Sequence, residues 1–351
     1  MPGYIERALQ RFQHTASRSP EHSPHPWQRP NYGAKTQFAV LPDATPAPDA
    51  ADKTRILEVL GTLLFYARAI DSTMLTAIGD LATEQSQATK ATMEKLAQLL
   101  NYCAVHPNAT VRFTASDMIL AVESDASYLS VVKGRSRTAG YFFLTNKRTS
   151  PNDPYKSNGA VHVLCHIMRE VLSSAAEAEV GALIHNGKEA FPFRIALEEM
   201  GHPQAATPMA TDNNTASGIA TDTVKQKRSK AIDMRFYWIR DRVRQGQFQI
   251  YWSKGQTNRA DYFSKHHPAS HHQAIRSTYL YSPTNPTRNY FECLADTPPT
   301  PAPTVPSSAK SLTISYTDPD EGVLLSPGNP ECHCDVTNDV TASHLPGPSK
   351  V

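Results

Sequence analysis

At 351 residues with 40% hydrophobic side chains, the chain is long enough for two ordinary domains with buried cores, which excludes a small stapled scaffold. Thirty-five Lys and Arg against 33 Asp and Glu leave a formal charge of +2, so partners must be read from local clusters rather than from net charge. The five cysteines, at 103, 165, 293, 332 and 334, have no paired C-x-x-C spacing, which argues against a disulfide framework or zinc ribbon and fits a reducing compartment. Cys332-His333-Cys334 has no second ligand pair and reads as incidental. No stretch approaches the roughly 18 apolar residues of a membrane span, and "MPGYIERALQRF" lacks the apolar core of a signal peptide. An intracellular protein, cytoplasmic or nuclear, with no membrane partner is expected.

In chain order, residues 1–16 place Ile5, Leu9 and Phe12 at helical spacing. Four prolines between 20 and 30 then predict an extended connector, so 1–52 reads as a short helix and a Pro-rich link. "KTRILEVLGTLLFYARAI" and "QATKATMEKLAQLLNYCAVH" each carry one apolar stripe, Ile56, Val59, Leu60, Leu63 and Leu64 in the first and Met93, Leu96, Leu99 and Leu100 in the second. They predict a pair of helices over 53–108 that pack as a hairpin.

After Asn108 the pattern changes. "VRFTAS", "MILAVE", "GYFFLTN" and "AVHVLCHI", separated by turn formers, predict three antiparallel strands. "SSAAEAEVGALIHNGKEAFPFRIALEEMG" predicts a long helix broken or kinked near Pro192 and stopped by Gly201. A short strand "ATPMATD", a short helix "NNTASGIATD", a second long helix ending at Gly246, a strand "QFQIYWS" and a last helix from "NRADYFSKHH" complete the pattern. Strands grouped first and then alternating with helices describe an α/β fold, a mixed sheet flanked by helices, over 109–282. Residues 296–351 carry ten prolines and few aromatics and read as a disordered tail.

Four carboxylates stand at element ends. Asp125 follows the apolar run of the first strand, where an Asp is also a turn former. Asp212 ends the later strand, where it is also a natural N-cap for the helix after it. Asp261 opens the last helix, where an acid also favours the helix dipole. In the long helix, Ser174 followed three residues later by Glu177 is a capping-box pattern, the glutamate reaching back to the Ser174 N–H, so Glu177 has a structural reason. Glu179, about 200° further round the helix, faces nearly the opposite way and has none. Such an oxygen-only set suits hard cations, two of which roughly 4 Å apart clamp a phosphodiester.

"SDASYLS", "SSAAEAEV", "TDNNTA", "KQKRSKAIDMRFYWIRDRV" and "ADYFSKHHP", in this order, resemble the ribonuclease H domain of copia-type retrotransposon polyproteins over about residues 112 to 281. The helices of 53–108 resemble the end of the reverse transcriptase that precedes it. The resemblance implies a ribonuclease H-like fold and metal-dependent cleavage of the RNA strand of an RNA–DNA hybrid. It further implies two Mg²⁺ ions, with Mn²⁺ an alternative, and Asp125, Glu179, Asp212 and Asp261 as catalytic metal ligands.

The chain departs from the family in lacking any Asp-Asp pair, so polymerase activity is not expected. Ala231 stands where the family has His, Val180 follows the glutamate, and the loop "SKGQTNR" has no His. These departures suit an alternative, a catalytically silent hybrid-binding relic. Lys225 to Arg244 holds eight Lys or Arg against Asp233 and Asp241, and Lys227, Arg228 and Lys230 are the expected phosphate contacts. Asn213 and Asn214 are candidates for the 2′-hydroxyl, with helix capping as the competing role. His266, His267, His271 and His272 are expected at the surface of the last helix, and no stable protein partner is implied.

Overall fold

The computed structural model describes residues 1–27, 43–150, 153–224 and 233–281. The connector beyond residue 27, Lys227, Arg228, Lys230 and Ala231, and the expected tail lie outside the described residues. Among the described residues no helix is long and apolar enough to cross a membrane.

The N-terminal part is helical: α1 (Tyr4–Arg11), α2 (Ala50–Ala69), α3 (Leu75–Glu84) and α4 (Lys90–Val105). Both expected stripes are buried, with Ile56, Val59, Leu60 and Leu63 of α2 and Leu96, Leu99 and Leu100 of α4 in one core with Ile5 and Phe12. The two do not form a simple hairpin, because α3 intervenes and adds Leu75, Ile78 and Leu81 to that core. Asp49 and Thr89 cap α2 and α4 by accepting the Asp52 and Thr92 N–H groups.

The sheet comprises β1 (Ile119–Val131), β2 (Arg135–Thr145), β3 (Ala160–Ile167), β4 (Thr207–Thr211) and β5 (Phe248–Trp252) in the order β3-β2-β1-β4-β5. The first three strands are antiparallel, whereas β4 runs parallel to β1 and β5 parallel to β4. Helices α5 (Ala175–Glu199), α6 (Asn214–Ala220), α7 (Asp233–Arg244), α8 (Asp261–Ser264) and α9 (Ala269–Tyr279) complete the chain's described part. This is the expected α/β arrangement, a mixed sheet flanked by helices. Period-two alternation along β1 splits its side chains between two cores. Leu120 and Val122 pack with Val180, Leu183 and Ile184 of α5, whereas Ala121 packs with Tyr141, Phe263, Ile275 and Tyr279 towards α8 and α9.

Three expectations need correction. "VRFTAS" is not a strand. Asp125 does not end β1 but lies within it, paired with Ala139, because β2 continues to pair past that point until the register shifts after Ser127. Helix α5 runs uninterrupted through Pro192, since one missing N–H is a small loss beside the buried Val180, Leu183, Ile184, Ala190 and Leu197.

At Gly140 the side chain of Asn186 from α5 lies directly against the sheet. The Asn186 amide donates to the Ser124 hydroxyl (2.9 Å) and the Ala139 carbonyl (2.8 Å), and a Cβ on Gly140 would lie 1.8 Å from Asn186 Oδ1 and 2.8 Å from the Phe142 ring. Gly140→Ala is expected to lower stability by about 1–3 kcal/mol through overpacking, read as a lower denaturant midpoint at an unchanged m-value.

Candidate functional site

The β1–β4 pairing ends at Glu123–Ala210, so the edge of β1 is open beside Asp125. Asp212 directly follows β4, and Glu179 lies in the second turn of α5. One carboxylate oxygen from each of Asp125, Glu179 and Asp212 lies within 4.8 Å of the others, and these are the only three or more such donors so clustered among the described residues.

Local bonds hold Glu179 and the backbone of Asp212. Glu179 accepts from the Ala126 N–H (3.2 Å) and from the Thr211 hydroxyl (3.4 Å), which aims it across the open edge of β1. Asp212 is not the cap of α6. Asn213 takes that role, accepting the Ala216 N–H at 3.0 Å, and leaves the Asp212 side chain uncommitted to the helix. The Trp252 indole donates to the Asp212 carbonyl (2.8 Å), and a Cβ on Gly255 would come within 2.5 Å of Asp212 Oδ2, so a larger residue there would displace that carboxylate. Trp252 and Gly255 escaped the sequence reading, and no local pattern marks either.

Asp261 is brought up by the segment just before it. The Asn258 amide donates to the Ser124 carbonyl (2.8 Å), and Arg259 pairs with Glu123 on the same face of β1 as Asp125. Asp261 lies outside the cluster of three and pairs with Lys265 at 2.5 Å. Its charge nevertheless reaches both Asp125 and Asp212.

The electrostatics are those of crowded acids. Burial, reinforced by the charges of Asp261 and Asp212 and opposed by Lys265 and the Ser264 hydroxyl, pushes the Asp125 carboxyl up to about 8. Burial and then the charges of Asp125 and Asp212 raise Glu179 well above the usual range, and burial and Asp261 raise Asp212. Asp125 is 2% and Glu179 6% exposed, and Asp125 Oδ2 is buried with no hydrogen-bond partner among the described residues. A buried carboxyl oxygen without a donor, in an all-oxygen set, fits a hard divalent cation.

The remaining candidates divide. Glu177 is structural as expected, with a shift of one residue: Ser174 accepts the Glu177 N–H, but the carboxylate takes the Ser173 N–H (2.8 Å) and hydroxyl rather than the Ser174 N–H. Asn213 caps α6, and Asn214 is its exposed first residue. The four histidines are not uniformly at the surface. His272 and His267 are buried, because α9 packs on Tyr102 of α4 and on Tyr262, and His266 pairs with Asp80 of α3.

No family model matches the chain. It is similar to the Retrovirus-related Pol polyprotein from transposon TNT 1-94 of Nicotiana tabacum, 24% identical over 263 residues, which is 75% of this chain and 18% of that polyprotein. The chain therefore spans about a fifth of that relative's length. Similar solved structures include LC11-RNase H1 in complex with an RNA/DNA hybrid (13% identical, TM-score 0.30, covering 41% of this chain and 92% of that one). Another is RNase H1 from the archaeon Halobacterium salinarum NRC-1 (15% identical, TM-score 0.27, 42% and 94% covered).

Proposed function

We propose that the chain is a metal-dependent endonuclease of ribonuclease H type that cleaves the RNA strand of an RNA–DNA hybrid, with residues 109–282 as the nuclease domain. The convergence of Asp125, Glu179 and Asp212 from three separate elements carries this reading, because their chain positions have nothing else in common. In it Asp125 and Asp212 hold the cations and Glu179 and Asp261 complete the set. Two Mg²⁺ ions, or Mn²⁺ in their place, would supply Lewis-acid polarisation of the phosphate and a lowered pKa for the attacking water. The chain's own part is to keep Asp125, Glu179 and Asp212 crowded, with the charge of Asp261 near them. Asp125, Glu179 and Asp212 are each costly to ionise alone, so cation uptake at neutral pH is accompanied by proton release. The likeness to a retrotransposon polyprotein supports the hybrid as substrate, since hybrids arise when RNA is copied into DNA.

Substrate grip falls to two groups in this reading. Asn213 and Asn214, beside Asp212, offer amides to the 2′-hydroxyl, which is what separates RNA from DNA. Lys227, Arg228 and Lys230 contact phosphates. Changing all three to Ala is expected to weaken binding to every hybrid sequence about equally. It should also flatten the slope of log affinity against log salt by up to about 3, each phosphate contributing somewhat under one. An unchanged slope in a salt titration would assign the grip elsewhere.

The reading is tested with a hybrid labelled on each strand in turn. Mg²⁺-dependent fragments from the RNA strand alone are expected. A protein that binds the hybrid tightly yet cuts neither strand at any Mg²⁺ or Mn²⁺ concentration would be the silent binding module, to which Ala231 and Val180 would then belong.

A further inference from the structure

Helix α8, which carries Asp261, is four residues long. A single turn has no stability of its own, because nucleation fixes several residues for hardly any internal hydrogen bonds. Something outside it must decide where Asp261 lies. The sheet supplies part of the hold through Asn258 and through the Ser127 hydroxyl, which donates to the Ser264 carbonyl at 2.5 Å.

The other side of α8 rests on the N-terminal helices. The Tyr262 hydroxyl donates to the Thr73 carbonyl (3.4 Å), and the Thr76 hydroxyl donates to the Phe263 carbonyl (3.2 Å). His266, next to the Lys265 that pairs with Asp261, bonds the Asp80 carboxylate at 2.5 Å. Thr76 and Asp80 are four apart in α3 and so share one face, and Thr73 lies in the turn leading into it. That face is itself locked to the sheet. Arg137 of β2, 3% exposed, pairs with Asp80 and donates to the Thr76 carbonyl (3.4 Å). Behind it, Tyr262 also bonds His272, whose other nitrogen lies 3.1 Å from the Tyr102 hydroxyl, and Arg276 joins Tyr102 to Asp71. Every residue from Tyr262 to His266 except Ser264 and Lys265 thus has a polar bond to the helical layer.

We infer that α3 is a positioning element for the candidate site: Thr76 and Asp80, through Phe263 and His266, set where Asp261 and Lys265 lie against the other three carboxylates. The N-terminal helices are then a working part of the nuclease rather than a neighbour of it. The inference rests on the proposed function only for what Asp261 does, not for what holds it.

The test uses the full chain with Thr76→Val, which removes one hydroxyl at nearly constant volume, Thr76→Ser as the variant that keeps the bond, and His266→Ala. Amide hydrogen exchange and Mn²⁺ titration are read on each. Loss of a buried hydrogen bond is worth about a tenfold change in an opening equilibrium. Thr76→Val and His266→Ala should therefore raise exchange across 261–266 about tenfold while β1 and α5 keep their protection, and should weaken Mn²⁺ binding. Thr76→Ser should behave as wild type. Unchanged exchange over 261–266, or a rise spread evenly over β1 and α5, would overturn the inference. If the exchange result holds but the wild type takes up no Mn²⁺, the positioning of α8 stands and the nuclease reading falls.

Discussion

Asp125→Asn is expected to lower hybrid cleavage by at least about 100-fold, the scale on which removing a group that stabilises transition-state charge acts. Asp125 is the most deeply buried of the four carboxylates and the one with an oxygen that bonds nothing among the described residues, so an amide there takes away an anionic donor at nearly constant shape. The fold should survive. In cation-free buffer at pH 8 the variant should melt higher than wild type, because it relieves a buried acid crowded by Asp261 and Asp212. Hybrid binding in EDTA should change little. A variant that loses activity by unfolding would melt lower, and the two outcomes are separated by one calorimetric scan of each protein.

The second expected result is a stability profile that falls with pH until a cation is added. The Asp125 carboxyl lies at about 8 in the folded chain, with Glu179 and Asp212 also raised, and all three return to the ordinary carboxylate range of about 4 on unfolding. Between the unfolded and folded values the folded state binds more protons than the unfolded one, so stability declines as pH rises, and the part due to Asp125 is lost by the time the pH passes about 8. The loss should amount to a few kcal/mol, equivalent to about 5–10 °C in Tm for a chain of this size. Mg²⁺ replaces the missing protons, so it should raise Tm more at pH 8.5 than at pH 5.5. Asp125→Asn should flatten both dependences. A Tm that rises steadily from pH 5.5 to 8.5 without cation would mean that the carboxylates are solvated and separate.

The order of elements was legible because the periodicities are clean. Strand β3 coincides with "AVHVLCHI", and β4 and β5 coincide with their apolar runs to within a residue. The site was legible where local chemistry distinguishes one acid from its neighbour. Ser174 marks Glu177 as a helix-start residue and so separates it from Glu179, and the structure has Glu177 on the Ser173 backbone and Glu179 beside Asp125. What was not legible depends on distant packing. "ESDASYLSV" looks like the end of a strand because its residues are small and polar, yet pairing with β2 carries the strand through it. Helix α3 has Gly79 and several Thr and Ser around it, a weak helical signal by itself. Its docking against β3 and α8 compensates for that. Lys265 reads as a surface lysine in "ADYFSKHHP", and only the fold sets it against Asp261. The buried histidines follow the same rule, since burial on α9 is decided by Tyr102 and Tyr262 and not by the polar sequence around them.

The most direct measurement is anomalous scattering from a crystal of the protein grown or soaked with Mn²⁺. A peak is expected within bonding distance of Asp125, Glu179 and Asp212, with any second peak facing Asp261 after its carboxylate has left Lys265. A well-ordered crystal at saturating Mn²⁺ with the four carboxylates in place and no peak among them would contradict it.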